Sequence, residues 1–138
     1  MNMLRFTLKA DAAVTGANAV AYLAGAPILS DWLGIPTGVL FAVGAFLAVY
    51  AALVYRLATR PAMPKAAVTA VIAANALWAV DSLLALALDW FSPTLAGQIA
   101  IAVQAVGVAA FALVQAAAMA SAFSSARTGS VSTSKRSA

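Results

Sequence analysis

Residues 66–88 read AAVTAVIAANALWAVDSLLALAL, with Asp81 the one charged residue among them. As an α-helix rising 1.5 Å per residue the run is roughly 34 Å long, enough to cross the ~30 Å hydrocarbon core of a bilayer. It lacks the two-residue alternation of a barrel strand, and only helices or closed barrels satisfy their backbone groups in lipid. The stretch is therefore read as a transmembrane helix, ending at the turn-rich DWFSPT of residues 89–94.

Three further runs match it, at about 10–29, 38–57 and 95–120, separated by SDWLGIPT (30–37) and ATRPAMPK (58–65). Each is long enough to span a bilayer. The 138 residues are 64% hydrophobic and only 9% charged, with mean hydropathy +0.97. Soluble domains carry about 25% charged residues, so this chain has too little polar surface to face water. The expected fold is an all-α membrane protein, a four-transmembrane-helix bundle over residues 1–123. Residues 124–138, SSARTGSVSTSKRSA, read as a disordered, basic, Ser/Thr-rich cytoplasmic tail. Its Lys135 and Arg136 would meet anionic headgroups.

The net charge is +4, but its placement argues against nucleic acid. Arg5, Lys9, Arg56, Arg60, Lys65, Arg127, Lys135 and Arg136 all fall at the same end of the four spans. The other two connections carry Asp31 and Asp89 instead. Excess Lys and Arg marks cytoplasmic loops, so both termini are expected in the cytoplasm. Trp32 and Trp90, beside those aspartates, are expected as interface anchors. The start also looks like a secretory signal, with Arg5, Lys9 and AGA at 24–26. Asp11, Thr15 and Asn18 make the run too polar for one, and Pro27 would follow the cut, so the first span is expected to be retained.

ANAVAYLAGAPILSDWLGIPT (17–37) parallels ANALWAVDSLLALALDWFSPT (74–94), and AAVT occurs at both 12–15 and 66–69. The bundle is accordingly read as two repeated helical hairpins. Two-helix units keep their orientation in the membrane, so an axis along the membrane normal would relate them.

Polar residues inside the spans fall into stripes. Asp11, Thr15, Asn18 and Tyr22 follow helical spacing, as do Asn75, Trp78, Asp81 and Ser82, and then Gln104, Phe111 and Gln115. Facing lipid, each unpaired group costs several kcal/mol, so the stripes should face the interior. Interhelical hydrogen bonding is one use for them. Asp81 stands apart, lying roughly 24 Å along the helix from Lys65 and roughly 12 Å from Asp89, too deep for a short side chain to reach the interface. The spans hold no partner cation near it, so it is read as protonated or as facing water, an ion or a ligand. Asn18, Asn75, Asp81 and Gln104 form the candidate interior polar site.

The chain has no cysteine, histidine or glutamate. Thiol chemistry, the commonest metal ligand and the commonest general base are thereby excluded. Neither a phosphate-binding loop nor a nucleophile–base pair is present, so no catalytic residue, metal or cofactor is expected. LRFTLKADA (4–12), LVYRLATRP (53–61) and VIAANALWAVDSLL (71–84) resemble a broad group of uncharacterised, small four-span integral membrane proteins of bacteria. The resemblance implies a multi-pass protein of the bacterial inner membrane. Two functions fit. One is a non-enzymatic subunit or packing component, in a homo-oligomer or larger membrane complex, for which the many Gly and Ala residues allow close helix contact. The other is a small carrier or ligand-binding protein for a small molecule, centred on Asp81. A filled, dry interior would favour the first, and a continuous wet cavity reaching Asp81 the second.

Overall fold

A computed structural model of the chain describes residues 2–136. It is 89% helical and has no strand among the described residues. Four helices follow in order: α1 (Asn2–Leu33), α2 (Thr37–Thr59), α3 (Lys65–Ala87) and α4 (Leu95–Arg136). All four are long and apolar enough to cross a membrane. The all-α four-helix bundle read from the sequence is the observed fold.

Short connections make neighbours antiparallel. α1 packs along α2, α3 along α4, and α1 against α4, while α2 and α3 barely touch. The bundle is thus a ring of helices with one loose seam. Lipid is as apolar as leucine, so contact here depends on shape rather than on hydrophobic burial. Gly44 of α2 lies where a Cβ would sit 3.1 Å from Tyr22 Cβ and 3.0 Å from Leu23 of α1, so a larger residue there would have to push these side chains by a few tenths of an ångström.

Each helix end has a local cause. Pro36 and Pro64 precede α2 and α3, and their carbonyls accept the first helical hydrogen bonds, from Val39 and Leu40 and from Ala67 and Val68. Proline at a helix start loses no bond that the helix would have used. α1 stops at Gly34, whose φ of +68° is the left-handed region, with its N–H bonded to Ser30 O at 2.9 Å. α3 ends in a Schellman motif, with Trp90 N–H to Ala85 O at 3.1 Å and Asp89 at φ 52°. Asp31, its counterpart in the sequence repeat, lies inside α1. The two Asp-Trp pairs therefore occupy different local structures.

The helices exceed their expected bounds. α1 begins at Asn2 and runs through Pro27, which breaks one backbone bond near the helix end, a break membrane helices tolerate. α4 continues past the expected boundary at 123, and the segment read as a disordered tail is helical to Arg136. Ser124 and Thr128 hydroxyls return hydrogen bonds to the carbonyls of Ala120 and Ser124, so the polar residues serve the helix they were expected to end. The side chains of Lys135 and Arg136, expected at headgroups, and residues 137–138 lie outside the described residues.

Each end of the bundle is tied together by contacts between helices and loops. At the basic end, Leu4, Leu8, Val54, Leu57, Met63 and Val68 form a buried plug. Arg5 lies over it and donates to the carbonyls of Ala58 (2.8 Å), Arg60 (2.5 Å) and Pro61 (2.8 Å), capping the C-terminus of α2. At the far end the two loops are knit together. Thr94 N–H bonds Leu33 O at 3.0 Å, and Thr94 Oγ1 donates to Trp32 O at 2.5 Å. The same hydroxyl caps α4 by accepting from Gly97 N–H at 3.2 Å. Trp32 and Trp90 are exposed at this end, where interface anchors belong.

Candidate functional site

Four side chains, one from each helix, meet just inside the basic plug. Asp11 of α1, Asn75 of α3 and Gln115 of α4 are 3%, 4% and 0% exposed, and Tyr50 of α2 is half-buried. Asp11 Oδ2 accepts from Asn75 Nδ2 at 2.7 Å and from Gln115 Nε2 at 2.8 Å. Asp11 Oδ1 accepts from Thr15 Oγ1, one turn on, at 3.2 Å. Asn75 Nδ2 also reaches Gln115 Oε1 at 3.2 Å, and Asn75 Oδ1 accepts from the Tyr50 hydroxyl at 2.9 Å.

The donor–acceptor arrangement is chemically specific. Every partner of the Asp11 carboxylate is a donor, the set an ionised carboxylate needs because it can only accept. Three of its roughly four lone-pair sites are used, leaving one on Oδ1. No buried polar side-chain atom among the described residues lacks a partner. The network is therefore satisfied, and no lysine or arginine contributes to it among the hydrogen bonds of the described residues.

Asp11 opens onto a cavity of about 810 Å³ walled by all four helices. Asn18, Asn75 and Gln104, three of the four residues proposed from the sequence, line it. Asn18 is half-buried and lacks a hydrogen bond from its side chain among the described residues, unlike its repeat counterpart Asn75. Aromatic rings form the wall beside α2 and α3. Phe46 stacks on Tyr50 with centroids 6.1 Å apart and on Trp78 at 5.7 Å, 5° from coplanar. Trp78 thereby bridges the seam that the backbones leave open.

Asp81 is not with the others. It is exposed and lines a second, smaller cavity of about 220 Å³ toward the far end, with Ser82 and Trp90. At 100° per residue it lies roughly 120° around α3 from Asn75, so depth in the apolar run did not place it on the inner face. The interior carboxylate is Asp11. Tyr22, Trp78 and Gln104 line both cavities, and the Tyr22 hydroxyl donates to Gln104 Oε1 at 3.3 Å across this neck.

Asp11, Tyr50 and Gln115 are not among the four site residues read from the sequence. Asp11 and Gln115 belong to interior stripes visible in the sequence, but nothing in it shows that the two stripes meet. Tyr50 sits alone in α2 with no polar residue at helical spacing to mark its face. No group of three metal-ligating side chains exists among the described residues. No protein-family model, curated protein or solved structure matches the chain.

Proposed function

We propose that this is a non-enzymatic multi-pass membrane protein of carrier type, which takes a small molecule into the cavity between its four helices. One observation carries the reading: a buried carboxylate, held by three neutral donors, opens onto a cavity of about 810 Å³. Ligand sites are typically cavities of ~300–1,000 Å³, mostly apolar, with a few fixed polar groups. An ionised carboxylate inside a span is costly, and such residues mark ligand or ion pathways. Interhelical glue alone would not require a charge, because Asn or Gln would serve.

The test uses the neutral dye 1-aminoanthracene and a protein whose only tryptophan is Trp78, made by Trp32→Phe and Trp90→Phe and held in lipid nanodiscs. Energy transfer from Trp78 to the dye should saturate. Gly107 lines the cavity, and a Cβ there meets nothing within 4 Å, so Gly107→Phe should fill space without displacing neighbours and weaken dye binding at least about tenfold. Transfer that does not saturate, or that survives Gly107→Phe unchanged, would remove the cavity from consideration.

A second reading is a subunit of a homo-oligomer or larger complex. Residues 124–132 of α4 are helical and exposed, a surface on which another subunit has room to pack. Mass measurement in nanodiscs, with and without residues 124–138, separates it: loss of an oligomer on truncation supports this reading, and a monomer throughout dismisses self-assembly. The charge asymmetry supports cytoplasmic termini under either reading, and the resemblance to small bacterial proteins favours the inner membrane.

A further inference from the structure

We infer that the ligand is an amphipathic organic monocation. The inference rests on the cavity being a binding site, as argued above, and adds the charge and shape of what binds.

Charge comes first. Neither cavity has a lysine or arginine in its wall, and each has one carboxylate, Asp11 in the larger and Asp81 in the smaller. The groups bonded to Asp11 are the neutral Asn75, Gln115 and Thr15. A buried carboxylate bonded to neutral donors alone has no counter-ion among its hydrogen-bond partners. A cation that enters supplies it and meets the remaining lone pair on Oδ1. An anion meets repulsion strengthened by the low dielectric of the span.

Shape comes second. A bare divalent ion is held by several oxygens, with more than one carboxylate where binding is tight, and among the described residues no three His, Cys, Asp or Glu side chains come together, Asp11 being the one carboxylate of the larger cavity. An organic cation needs one carboxylate and aromatic faces, which attract positive charge. Tyr50, Phe46 and Trp78 give a stacked wall beginning at the carboxylate's own hydrogen-bond network. The remaining lining is largely aliphatic, and it suits an apolar body. Asp81 lies nearer the far end, in a cavity that shares Tyr22, Trp78 and Gln104 with that of Asp11. A carboxylate in each of the two adjacent cavities favours positive charge in both.

The experiment displaces 1-aminoanthracene from the full chain in nanodiscs with three competitors of one shape. They are (4-phenylbutyl)trimethylammonium, its neutral isostere with tert-butyl in place of trimethylammonium, and 4-phenylbutanesulfonate. Free concentrations are corrected against empty nanodiscs. The cation should displace the dye at about tenfold lower concentration than the neutral isostere, and the sulfonate should be the weakest. Equal displacement by cation and isostere overturns the inference while the dye still reports a cavity. A dye that never binds overturns the cavity reading and this inference with it. Asp11→Asn should bring cation and isostere within about twofold of each other, since its oxygen can accept from Asn75 and Gln115 while its amide donates to Thr15. A preference that survives Asp11→Asn assigns the charge elsewhere and overturns the site. The wild-type series needs no variant, so misfolding of Asp11→Asn leaves the central comparison standing.

Discussion

Gln115 Nε2 lies 2.8 Å from Asp11 Oδ2, across 104 residues of sequence, and this contact joins the first helix to the last. Asn75 completes the junction from α3. α1 and α3 make no close backbone contact, so side chains rather than backbone proximity hold opposite helices of the ring in register.

Gln115→Leu keeps the volume but removes the amide. It leaves Asp11 with one fewer donor and Asn75 with one fewer acceptor in a fully buried position. A lost buried partner costs about 1–3 kcal/mol, so the thermal midpoint in detergent should fall clearly. An unchanged midpoint would mean that water replaces Gln115 and that the junction is not structural.

The two aspartates should behave differently. Asp11→Leu strips Asn75, Gln115 and Thr15 of a common acceptor and should lower stability by at least about 1–3 kcal/mol. Asp81, exposed and without a side-chain hydrogen bond among the described residues, should tolerate Asn with a change within about 0.5 kcal/mol. Its loss should instead slow association of (4-phenylbutyl)trimethylammonium, because a charge beside a binding cavity acts mainly on the on-rate. Equal melting penalties for the two variants would place Asp81 inside after all.

The far-end closure gives a matched pair of glycines. A Cβ on Gly97 would run into the Leu33 carbonyl, whereas one on Gly107 meets nothing within 4 Å. Gly97→Ala should destabilise by about 1–3 kcal/mol through the enforced shift of the two loops. Gly107→Ala should be neutral or stabilising, by up to about 1 kcal/mol from helix propensity. Reversal of that order in thermal unfolding would contradict the packing of Thr94 and Gly97 on Leu33.

Orientation is open to cysteine labelling, with no background because the chain has no cysteine. Met63 is buried, so a cysteine there would stay unlabelled on either side of the membrane. Ala62 and Ser92 are exposed in opposite connections. Ser92→Cys should react with an impermeant maleimide in intact cells and Ala62→Cys only after lysis. The opposite pattern would invert the topology without altering the fold.

What the sequence determined by itself was whatever depends on neighbours along the chain. Four apolar runs of spanning length, turn residues between them and cations at one end dictate four helices and their alternation, because hydropathy and backbone satisfaction in lipid act locally. The site was only half legible. Asn18, Asn75 and Gln104 could be placed on interior stripes, and all three line the cavity. The sequence reading puts Asp81 ahead of Asp11, and the structure reverses that order, because depth in an apolar run measures distance along the helix axis, while a shared interior depends on rotation about it. Tertiary structure made that decision. Packing α1 on α2 and α4, with α2 and α3 held apart, turns Asp11 toward Asn75 and Gln115 and leaves Asp81 at the smaller cavity. Donors and acceptors from four separate helices can find one another only once the ring has closed.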